Sequence, residues 1–298
     1  MFNIICYGEV LWDNFKEGKK AGGAPMNVAL HLHKQGMNSV MISSVGKDRD
    51  GAELLDFMRH QGLGTEYIQQ HPSLSTGIVE VHLDENHQAT YTIVQPVAWD
   101  GIGPSTQVKE LAQKADALVY GSLASRNEIS RNTLLDLIQH ASFRVFDMNL
   151  RPPHFTADTL LRLIKHCDLL KINEDELKFL EDLYELPSSE YATNLLNLSK
   201  LLGVDSICLT LGGKGAIVAC ENKVYTHPGF TVKVADTVGA GDAFLATYIN
   251  CYLQKLSPEK TLELACAAGA LVASRPGANP EYSYEDIQNH RYEINRQD

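Results

Sequence analysis

The chain has 298 residues, a formal charge of −11 at pH 7 and a pI near 5.4, and 44% of its residues are apolar. This length is enough for one large domain, or for a core domain with a small appendage. The negative charge argues against nucleic acid or an acidic membrane surface as a partner, because neither polyanion gains from meeting an acidic protein. A small ligand is the better candidate.

The sequence lacks targeting and metal-binding patterns. Residues 1–6 contain no basic leader, and the apolar stretch at residues 262–273 is too short to span a membrane. The six cysteines form no C-x-x-C pair, and their apolar surroundings indicate reduced core residues. We therefore expect a cytoplasmic protein with no membrane anchor and no structural zinc.

Short apolar strands alternate with helices along most of the chain. In chain order, the predicted strands cover residues 2–8, 40–45, 117–120, 143–148, 169–172 and 206–210. The predicted helices cover residues 24–35, 49–61, 128–140, 156–166, 174–183 and 191–202. Continuous apolar strands separated by helices indicate a mainly parallel sheet covered on both faces. The predicted fold class is α/β.

Residues 73–99 interrupt this alternation. Residues 76–83 and 89–94 alternate in side-chain character around the polar segment 84–87, which is typical of an antiparallel hairpin. Because no helix follows, we predict a small β-sheet lid inserted at about residues 10–21 and 73–99 of a single domain that covers residues 1–298. An ordinary edge hairpin is the alternative.

The segment Asp236-Thr237-Val238-Gly239-Ala240-Gly241-Asp242 precedes an apolar helical run. Its small residues let successive backbone N–H groups converge at the helix start, an arrangement suited to phosphate. Asp242 places a carboxylate beside that anion site, where the helix start stabilises its charged form. Donors for a moving phosphoryl group, together with a carboxylate for an alcohol, indicate phosphoryl transfer. A glycine turn that only permits tight packing is the alternative.

A second glycine cluster, Gly22-Gly23-Ala24-Pro25-Met26-Asn27, also opens a helix. Its glycines allow a ligand to approach the backbone, and Asn27 projects an amide with donors and an acceptor suited to a polyol. Asp13 follows the first strand, near the sheet edge where open α/β folds bind ligands, so it is a candidate acceptor for sugar hydroxyls. A helix cap made by Gly and Pro is the alternative reading of the cluster.

Two common nucleotide-binding motifs are absent from the sequence. The segment Gly212-Gly213-Lys214-Gly215 lacks the spacing of a Walker A motif, and residues 9–13 stand where a dinucleotide fingerprint would require G-x-G-x-x-G. Both absences argue against P-loop chemistry and NAD binding.

The pairing of A-G-G-A-P-M-N at residues 21–27 with D-T-V-G-A-G-D at residues 236–242 resembles the ribokinase/PfkB family of carbohydrate kinases. The match extends over nearly the whole chain, and G-E-V-L-W-D at residues 8–13 is most similar to the bacterial fructokinases of that family. The resemblance implies a ribokinase-like three-layer α/β/α core with a mainly parallel sheet. It also implies a small β-sheet lid that closes over the sugar and excludes water.

The resemblance implies roles for individual residues. Asp242 matches the catalytic base, while Asn173 and Glu176 match an N-x-x-E element that helps to hold Mg²⁺ and its waters near the phosphates. The implied anion hole is the backbone of Gly239, Ala240 and Gly241. The implied sugar-binding residues are Asp13, Gly22, Gly23, Asn27, Gly46 and Asp48.

The nucleotide site is implied by the segment T-L-G-G-K-G at residues 210–215, which resembles the family's nucleotide loop. Thr210, Gly212 and Gly215 would line the ATP phosphates and ribose. The helix at residues 261–273 and the loop after it, including Gly277 and Asn279, would form the adenine wall.

Two further expectations concern charge. Arg151, in the D-x-N-x-R segment at residues 147–151, is expected near the transferred phosphate or a substrate oxygen, with a surface ion pair as the alternative. Many family members also bind K⁺ beside the anion hole, partly through the Asp of the D-T pair, here Asp236, and partly through the loop after the last core helix. That loop has Glu281 where relatives often have Ser, so the sequence leaves potassium activation open.

We therefore expect an ATP-dependent, Mg²⁺-requiring kinase that phosphorylates a primary hydroxyl of a free hexose, with fructose giving fructose 6-phosphate as the first choice. Ribose, 2-keto-3-deoxygluconate and a nucleoside are alternative acceptors, and a non-catalytic sugar-sensing protein is an alternative of another class. A sugar phosphate is disfavoured because the segments assigned to the sugar contain few Arg and Lys residues. By analogy with exposed lid sheets that pair, we expect a homodimer through the lid.

Overall fold

The computed structural model of the protein describes residues 1–16, 18–83, 89–187 and 190–294. Within these ranges the strands are β1 (Asn3–Tyr7), β2 (Leu11–Phe15), β3 (Gly18–Gly22), β4 (Asn38–Gly46), β5 (Ile68–His71), β6 (Gly77–Leu83), β7 (Ala89–Ile93), β8 (Ala117–Gly121), β9 (Arg144–Asp147), β10 (Leu169–Asn173), β11 (Ser206–Thr210), β12 (Ala216–Cys220) and β13 (Lys223–His227). The helices are α1 (Ala24–Lys34), α2 (Arg49–His60), α3 (Thr106–Ala112), α4 (Glu128–Ile138), α5 (Ala157–Ile164), α6 (Glu174–Leu183), α7 (Tyr191–Leu202), α8 (Ala240–Leu253), α9 (Pro258–Ala273) and α10 (Tyr284–Ile294).

The main sheet is mostly parallel. In the part of the chain that the structure describes, it contains nine strands in the order β13-β12-β11-β10-β9-β8-β1-β4-β5. The strands from β11 to β5 pair in parallel, and β12 and β13 extend one edge with antiparallel pairs. The predicted α/β class is confirmed.

Helices cover both faces of this sheet, because side chains alternate along each strand. Ile4 and Cys6 of β1 point into a cluster with residues of α1, α2, α8 and α9, whereas Ile5 and Tyr7 point into a cluster with residues of α3 to α7. All four side chains are almost fully buried. The predicted three-layer α/β/α core is therefore confirmed.

The strand order reverses at β1. The chain runs from β1 to β4 and β5 on one side and returns later to β8 on the other side. In open α/β sheets, ligands bind outside the carboxyl ends of the strands at such a switch point. The end of β1 is therefore where this fold creates a crevice.

A second, smaller sheet is separate from the main one. Its four strands, counted over the described residues, have the order β3-β2-β6-β7. β6 and β7 pair antiparallel, which confirms the predicted hairpin, although its turn at residues 84–88 lies outside the described residues. The small sheet ends at Ile93, and the next apolar residues, Val97 and Trp99, are buried in the main core. The segment of about residues 73–99 therefore contains the hairpin and the return to the core.

All six cysteines are free, and five of them are buried, as expected for core residues. Among the helices that the structure describes, none combines the length and the apolar character needed to cross a membrane.

Candidate active site

The turn at the start of α8 requires glycine. Gly239 is the N-cap of the helix and has a φ of 79°, in the left-handed region that favours glycine. A β-carbon at this position would also overlap the carbonyl oxygen of Ala278. No side chain caps the start of the helix at G-A-G-D, so its first backbone N–H groups are available to bind an anion.

Asp242 lies in the first turn of α8 and joins the two glycine motifs. Asn27 Nδ2 donates to Asp242 Oδ2 at 2.8 Å, although the two residues are 215 positions apart in the chain. Asn27 Oδ1 in turn accepts from Asn279 Nδ2 at 2.7 Å. Asn27 is buried, whereas Asp242 keeps part of its surface exposed. Predicted residues from three separate segments thus form one hydrogen-bonded chain that ends on an accessible carboxylate.

The surroundings of Asp242 favour its protonated form. Burial, and secondarily the nearby Asp147 carboxylate, raise the pKa of Asp242 to about 6. The Lys171 ammonium, the hydrogen bond from Asn27 and the Arg151 guanidinium act in the opposite direction. A carboxylate with a pKa in this range is ionised at neutral pH and is basic enough to accept a proton in a reaction.

A buried ion pair lies beneath the turn. Lys171 Nζ, from β10, is 2.9 and 3.2 Å from the two carboxylate oxygens of Asp147 at the end of β9. Burial disfavours the ammonium, but Asp147 and Glu176 outweigh that effect and raise the pKa of Lys171. A β-carbon built on Gly241 would be 3.6 Å from Lys171 Nζ. The pair therefore fixes the Lys171 ammonium close to the G-A-G turn, with the Asp147 carboxylate beside it.

Two more carboxyl groups lie at the same edge of the sheet. Burial raises the pKa of Glu9, just after β1, to about 7, and that of Asp13, on β2, to about 6. The exposed guanidinium of Arg151 lowers both values. Glu9 is only 4% exposed, and its Oε2 atom has no hydrogen-bond partner. The crevice is thus rich in carboxyl groups, with Arg151 as a facing cation.

Gly22 and Gly23 bring backbone close to these acids. A β-carbon at Gly22 would be 2.5 Å from Asp13 Oδ2, and one at Gly23 would overlap the backbone carbonyl of Glu9. Gly23 is also the N-cap of α1, with a φ of 118°. No larger residue fits at Gly23 without a shift of backbone, whereas a larger residue at Gly22 would displace the Asp13 side chain.

Gly46 and Asp48 form a second network around Thr76. The Asp48 carboxylate accepts from Gly51 N at 2.7 Å, from Thr76 N at 2.8 Å and from Thr76 Oγ1 at 2.6 Å. Gly46 N donates to the same hydroxyl at 2.9 Å. Asp48 therefore caps α2 and joins the end of β4 to the start of the small sheet. These bonds form a group of their own, distinct from the Asp242 chain.

Asn173 and Glu176 form a capping box at the start of α6. Glu176 N donates to Asn173 Oδ1, and Asn173 N donates to Glu176 Oε2, both at 2.9 Å. Glu176 Oε1 accepts from Leu150 N at 2.8 Å. Each carboxylate oxygen keeps a second lone pair for a water molecule. Over the described residues, no three His, Cys, Asp or Glu side chains are grouped to hold a metal directly.

The predicted nucleotide residues lie on turns. Thr210 ends β11, while Gly212 and Gly215 have positive φ in the turn before β12. Gly277 also has positive φ, and its N–H donates to Asp236 Oδ2 at 3.2 Å. Asp236 Oδ1 accepts from Val238 N at 3.0 Å, so Asp236 braces the segment that leads to the G-A-G turn.

Sequence analysis missed Glu9, Asp147 and Lys171 as members of this site. A signal was available for Lys171, which stands in the otherwise apolar strand sequence L-L-K-I-N. Lysine is almost never fully buried unless it is paired, so its position in a predicted core strand indicates a carboxylate partner nearby. Glu9 follows β1 and Asp147 ends β9, both after apolar residues, whereas Asp13, which was predicted to follow the first strand, lies on β2 of the small sheet.

Comparison with known proteins identifies the family of this chain. The model of the family described as pfkB family carbohydrate kinase matches residues 2–283. The chain is 27% identical over 275 residues to the fructokinase of Vibrio alginolyticus, covering 87% of each chain. It is 26% identical to the 2-dehydro-3-deoxygluconokinase of Thermoproteus tenax, covering 93% of this chain and 86% of that one.

Solved structures share the fold. The crystal structure of fructokinase with bound ATP from Xylella fastidiosa superposes with a TM-score of 0.86 over 98% of each chain, at 22% identity. The ribokinase-like architecture predicted for this chain is therefore confirmed.

The buried ion pair gives a first test. Lys171→Met leaves the Asp147 carboxylate buried without its partner, so we expect a loss of about 3 to 5 kcal/mol in the free energy of unfolding. Urea denaturation followed by circular dichroism measures this loss.

A matched control is Lys214→Met. Lys214 forms an exposed pair with Glu174 at 3.5 Å, so its removal should cost less than about 1 kcal/mol. Adding Asp147→Asn to Lys171→Met should recover part of the loss, because the unpaired charge is then gone. Equal stability of Lys171→Met and Lys214→Met would contradict a structural role for the buried pair.

Proposed function

Because this chain belongs to the pfkB family of carbohydrate kinases, we propose that it transfers the γ-phosphoryl group of ATP to a primary hydroxyl of a free sugar. The acceptor we propose is fructose, and the product is fructose 6-phosphate. One observation carries the proposal: Asp242 lies beside the G-A-G turn, is bonded to Asn27 through one oxygen, and remains partly exposed. A base and an anion site thus share one helix start.

Asp242 acts on the acceptor. In the free enzyme it is ionised at neutral pH, and its Oδ1 atom is directed to the sugar hydroxyl while Asn27 holds Oδ2. The carboxylate orients the hydroxyl and takes its proton as the oxygen attacks phosphorus in line with the leaving ADP oxygen. Asn27 fixes the orientation of the carboxylate and reaches toward the sugar from α1.

The backbone of Gly239 to Gly241 acts on the phosphoryl group. The N–H groups at a helix start and the helix dipole favour the charge that spreads over the equatorial oxygens during transfer. The Lys171 ammonium lies just behind Gly241 and adds positive potential in a region screened from water. This charge stabilises the moving phosphoryl group without a reorganisation of the protein.

Mg²⁺ fits the donor chemistry at the start of α6. Carboxylate and amide oxygens that already accept backbone N–H groups suit a role through metal-bound waters rather than direct ligation. Asn173 and Glu176 would hold those waters. Bound Mg²⁺ neutralises charge on the nucleotide phosphates.

The charges around the crevice favour a neutral acceptor. Glu9, Asp13 and Asp242 contribute carboxyl groups near the proposed sugar site, and Arg151 and Lys20 are exposed cations whose charges act on them. A sugar acid or a sugar phosphate would meet more negative than positive charge there, whereas a free sugar can donate its hydroxyls to the carboxylates. This balance supports fructose over 2-keto-3-deoxygluconate.

The small sheet is the element that we assign to the lid. Asp13 is on β2 of this sheet and belongs to the acid group of the crevice, so movement of the sheet would open and close the sugar site. Closure would exclude water as a competing acceptor. The expected homodimer would form through this sheet.

A sugar screen tests the proposed acceptor. We expect fructose to give the highest kcat/KM among fructose, ribose, 2-keto-3-deoxygluconate and adenosine, by at least about tenfold. Coupled ADP release measures the rates, and ³¹P NMR identifies the phosphorylated position. A higher value for another acceptor would replace fructose, and no ADP release with any of them would favour a sugar-sensing protein.

Asp242→Asn tests the base. The amide keeps the shape of the side chain but cannot accept the proton, so turnover should fall about 10² to 10⁴-fold. Binding of MgATP, measured by calorimetry, should change little. Asp182→Asn, an exposed residue of α6, is the matched control and should retain normal turnover. Near-normal turnover of Asp242→Asn would refute the assignment.

The acid limb of the pH profile provides a further test. Because Asp242 has to be ionised, kcat/KM should rise with pH through a midpoint near 6. Arg151 lowers the pKa of Asp242, Glu9 and Asp13, so Arg151→Gln should move this midpoint to higher pH. Arg162→Gln, on the exposed surface of α5, should leave it unchanged. A midpoint that does not respond to Arg151→Gln would contradict the charge arrangement.

A further inference from the structure

The ammonium of Lys34, at the end of α1, is enclosed by oxygen atoms of the loop that follows α9. Lys34 Nζ donates to the carbonyl oxygens of Asn279 at 2.8 Å and Pro280 at 2.9 Å, and to Glu281 Oε1 at 3.2 Å. The lysine side chain is only 6% exposed. Three acceptors use all three N–H groups of an ammonium, so the side chain is bound in its charged form.

Lys34 carries a positive charge on this face of α1, whereas the neighbouring His31 does not. His31, one turn earlier, is buried, and burial together with the Lys34 charge lowers the pKa of His31 to about 3. His31 is therefore neutral, and its Nδ1 atom is 2.8 Å from the hydroxyl of Tyr282. Burial lowers the pKa of Lys34 as well, but the Glu281 carboxylate opposes this effect.

The loop that Lys34 holds is in direct contact with the candidate active site. Asn279 Nδ2 donates to Asn27, which donates to Asp242. The backbone of Ala278 packs against Gly239, where it leaves no room for a β-carbon. A shift of this loop would therefore move the catalytic carboxylate and the anion turn together.

The oxygen cluster has the composition of a monovalent-cation site. Backbone carbonyls are the ligands that K⁺ binds in proteins, and a carboxylate adds negative charge. Here the ammonium already uses both carbonyls and the carboxylate. Asp236, the other expected K⁺ ligand, accepts one backbone N–H on each oxygen. The three acceptors of the cluster are therefore taken by Lys34, whereas each Asp236 oxygen keeps a second lone pair.

We propose that the Lys34 ammonium takes the place of a diffusible monovalent cation. It fixes the loop of residues 275–281 against α1, and it thereby keeps the nucleotide site and Asp242 ordered without K⁺. Lys34 is thus a positioning residue, and the inference rests on the kinase function proposed above.

The test compares cations in the wild-type protein and in Lys34→Ala. Calorimetry measures the Kd for MgATP in the chloride salts of potassium, sodium, methylammonium and tetramethylammonium at equal ionic strength. The wild-type Kd should agree in all four salts within about twofold. In Lys34→Ala the Kd should rise about 5 to 150-fold in tetramethylammonium, the usual size of a coupling between two sites. Potassium or methylammonium should restore it, because a small cation can enter the vacated cluster.

Two controls separate positioning from general damage. Lys200→Ala removes an exposed lysine of α7 and should show neither the weaker binding nor the rescue. Glu281→Gln removes the carboxylate partner while keeping Lys34, so it should give a smaller loss of the same kind if Lys34→Ala does not fold. A merely structural role of Lys34 would produce a loss that no cation restores.

The outcomes distinguish this inference from the proposed function. Wild-type MgATP binding that strengthens more than about fivefold when potassium replaces tetramethylammonium would overturn the inference, as would normal binding by Lys34→Ala in tetramethylammonium. If the wild type binds no MgATP at all, the kinase proposal fails. In that case thermal unfolding decides the role of Lys34: potassium or methylammonium should raise the Tm of Lys34→Ala and leave that of the wild type unchanged, and equal responses would reject the role.

Discussion

The hydrogen bond between Asn27 and Asp242 is the constraint on which the site depends, because it joins two helix starts that are distant in the sequence. α1 begins at a glycine with a φ of 118° and α8 at one with a φ of 79°, and both glycines lie against backbone that excludes any side chain. The two helices pack on the same face of the sheet. With Asn27 and Asp242 in contact, the two N-termini meet at one place, where both helix dipoles favour an anion.

Such a site has to hold carboxylates near a bound polyanion. The fold places a positive charge, the Lys171 ammonium of β10, close to them. Asp147 of β9 and Lys171 of β10 lie opposite each other on neighbouring parallel strands. They are at the same end of the sheet as Glu9 and Asp242. The lysine is fixed by its pair and cannot leave when substrates are absent. Its charge lowers the pKa of Asp242, as do the hydrogen bond from Asn27 and the Arg151 guanidinium, whereas burial and the Asp147 carboxylate raise that pKa to about 6. The same charge is available to the phosphoryl group.

Local signals explain which parts could be predicted from the sequence. α6 and α7 have the predicted bounds, 174–183 and 191–202, because an asparagine cap and a left-handed glycine end mark them. The bounds of β12 and β13 were not predicted, because these strands have only five residues each and follow a glycine-rich turn at 212–215. Hydrogen-bond partners could not be predicted from the sequence where they depend on packing between segments that are distant in the chain. The bond from Asn279 to Asn27 is one example, because no spacing relates the two residues.

Lys34 illustrates how one helix face can carry several of these long-range functions. Asn27, His31 and Lys34 are four and three residues apart, so they project from the same side of α1. From the N-terminus onward they present an amide to Asp242, a neutral ring to Tyr282 and a cation to the loop after α9. An ammonium attached to the chain is always present at its site, so its occupancy does not depend on the salt around the protein, whereas a free ion has to be bound at the expense of its translational freedom. The geometry of α1 thus makes the order of the loop a property of the fold itself, and the Asp242 carboxylate, two hydrogen bonds away from Asn279, shares that independence.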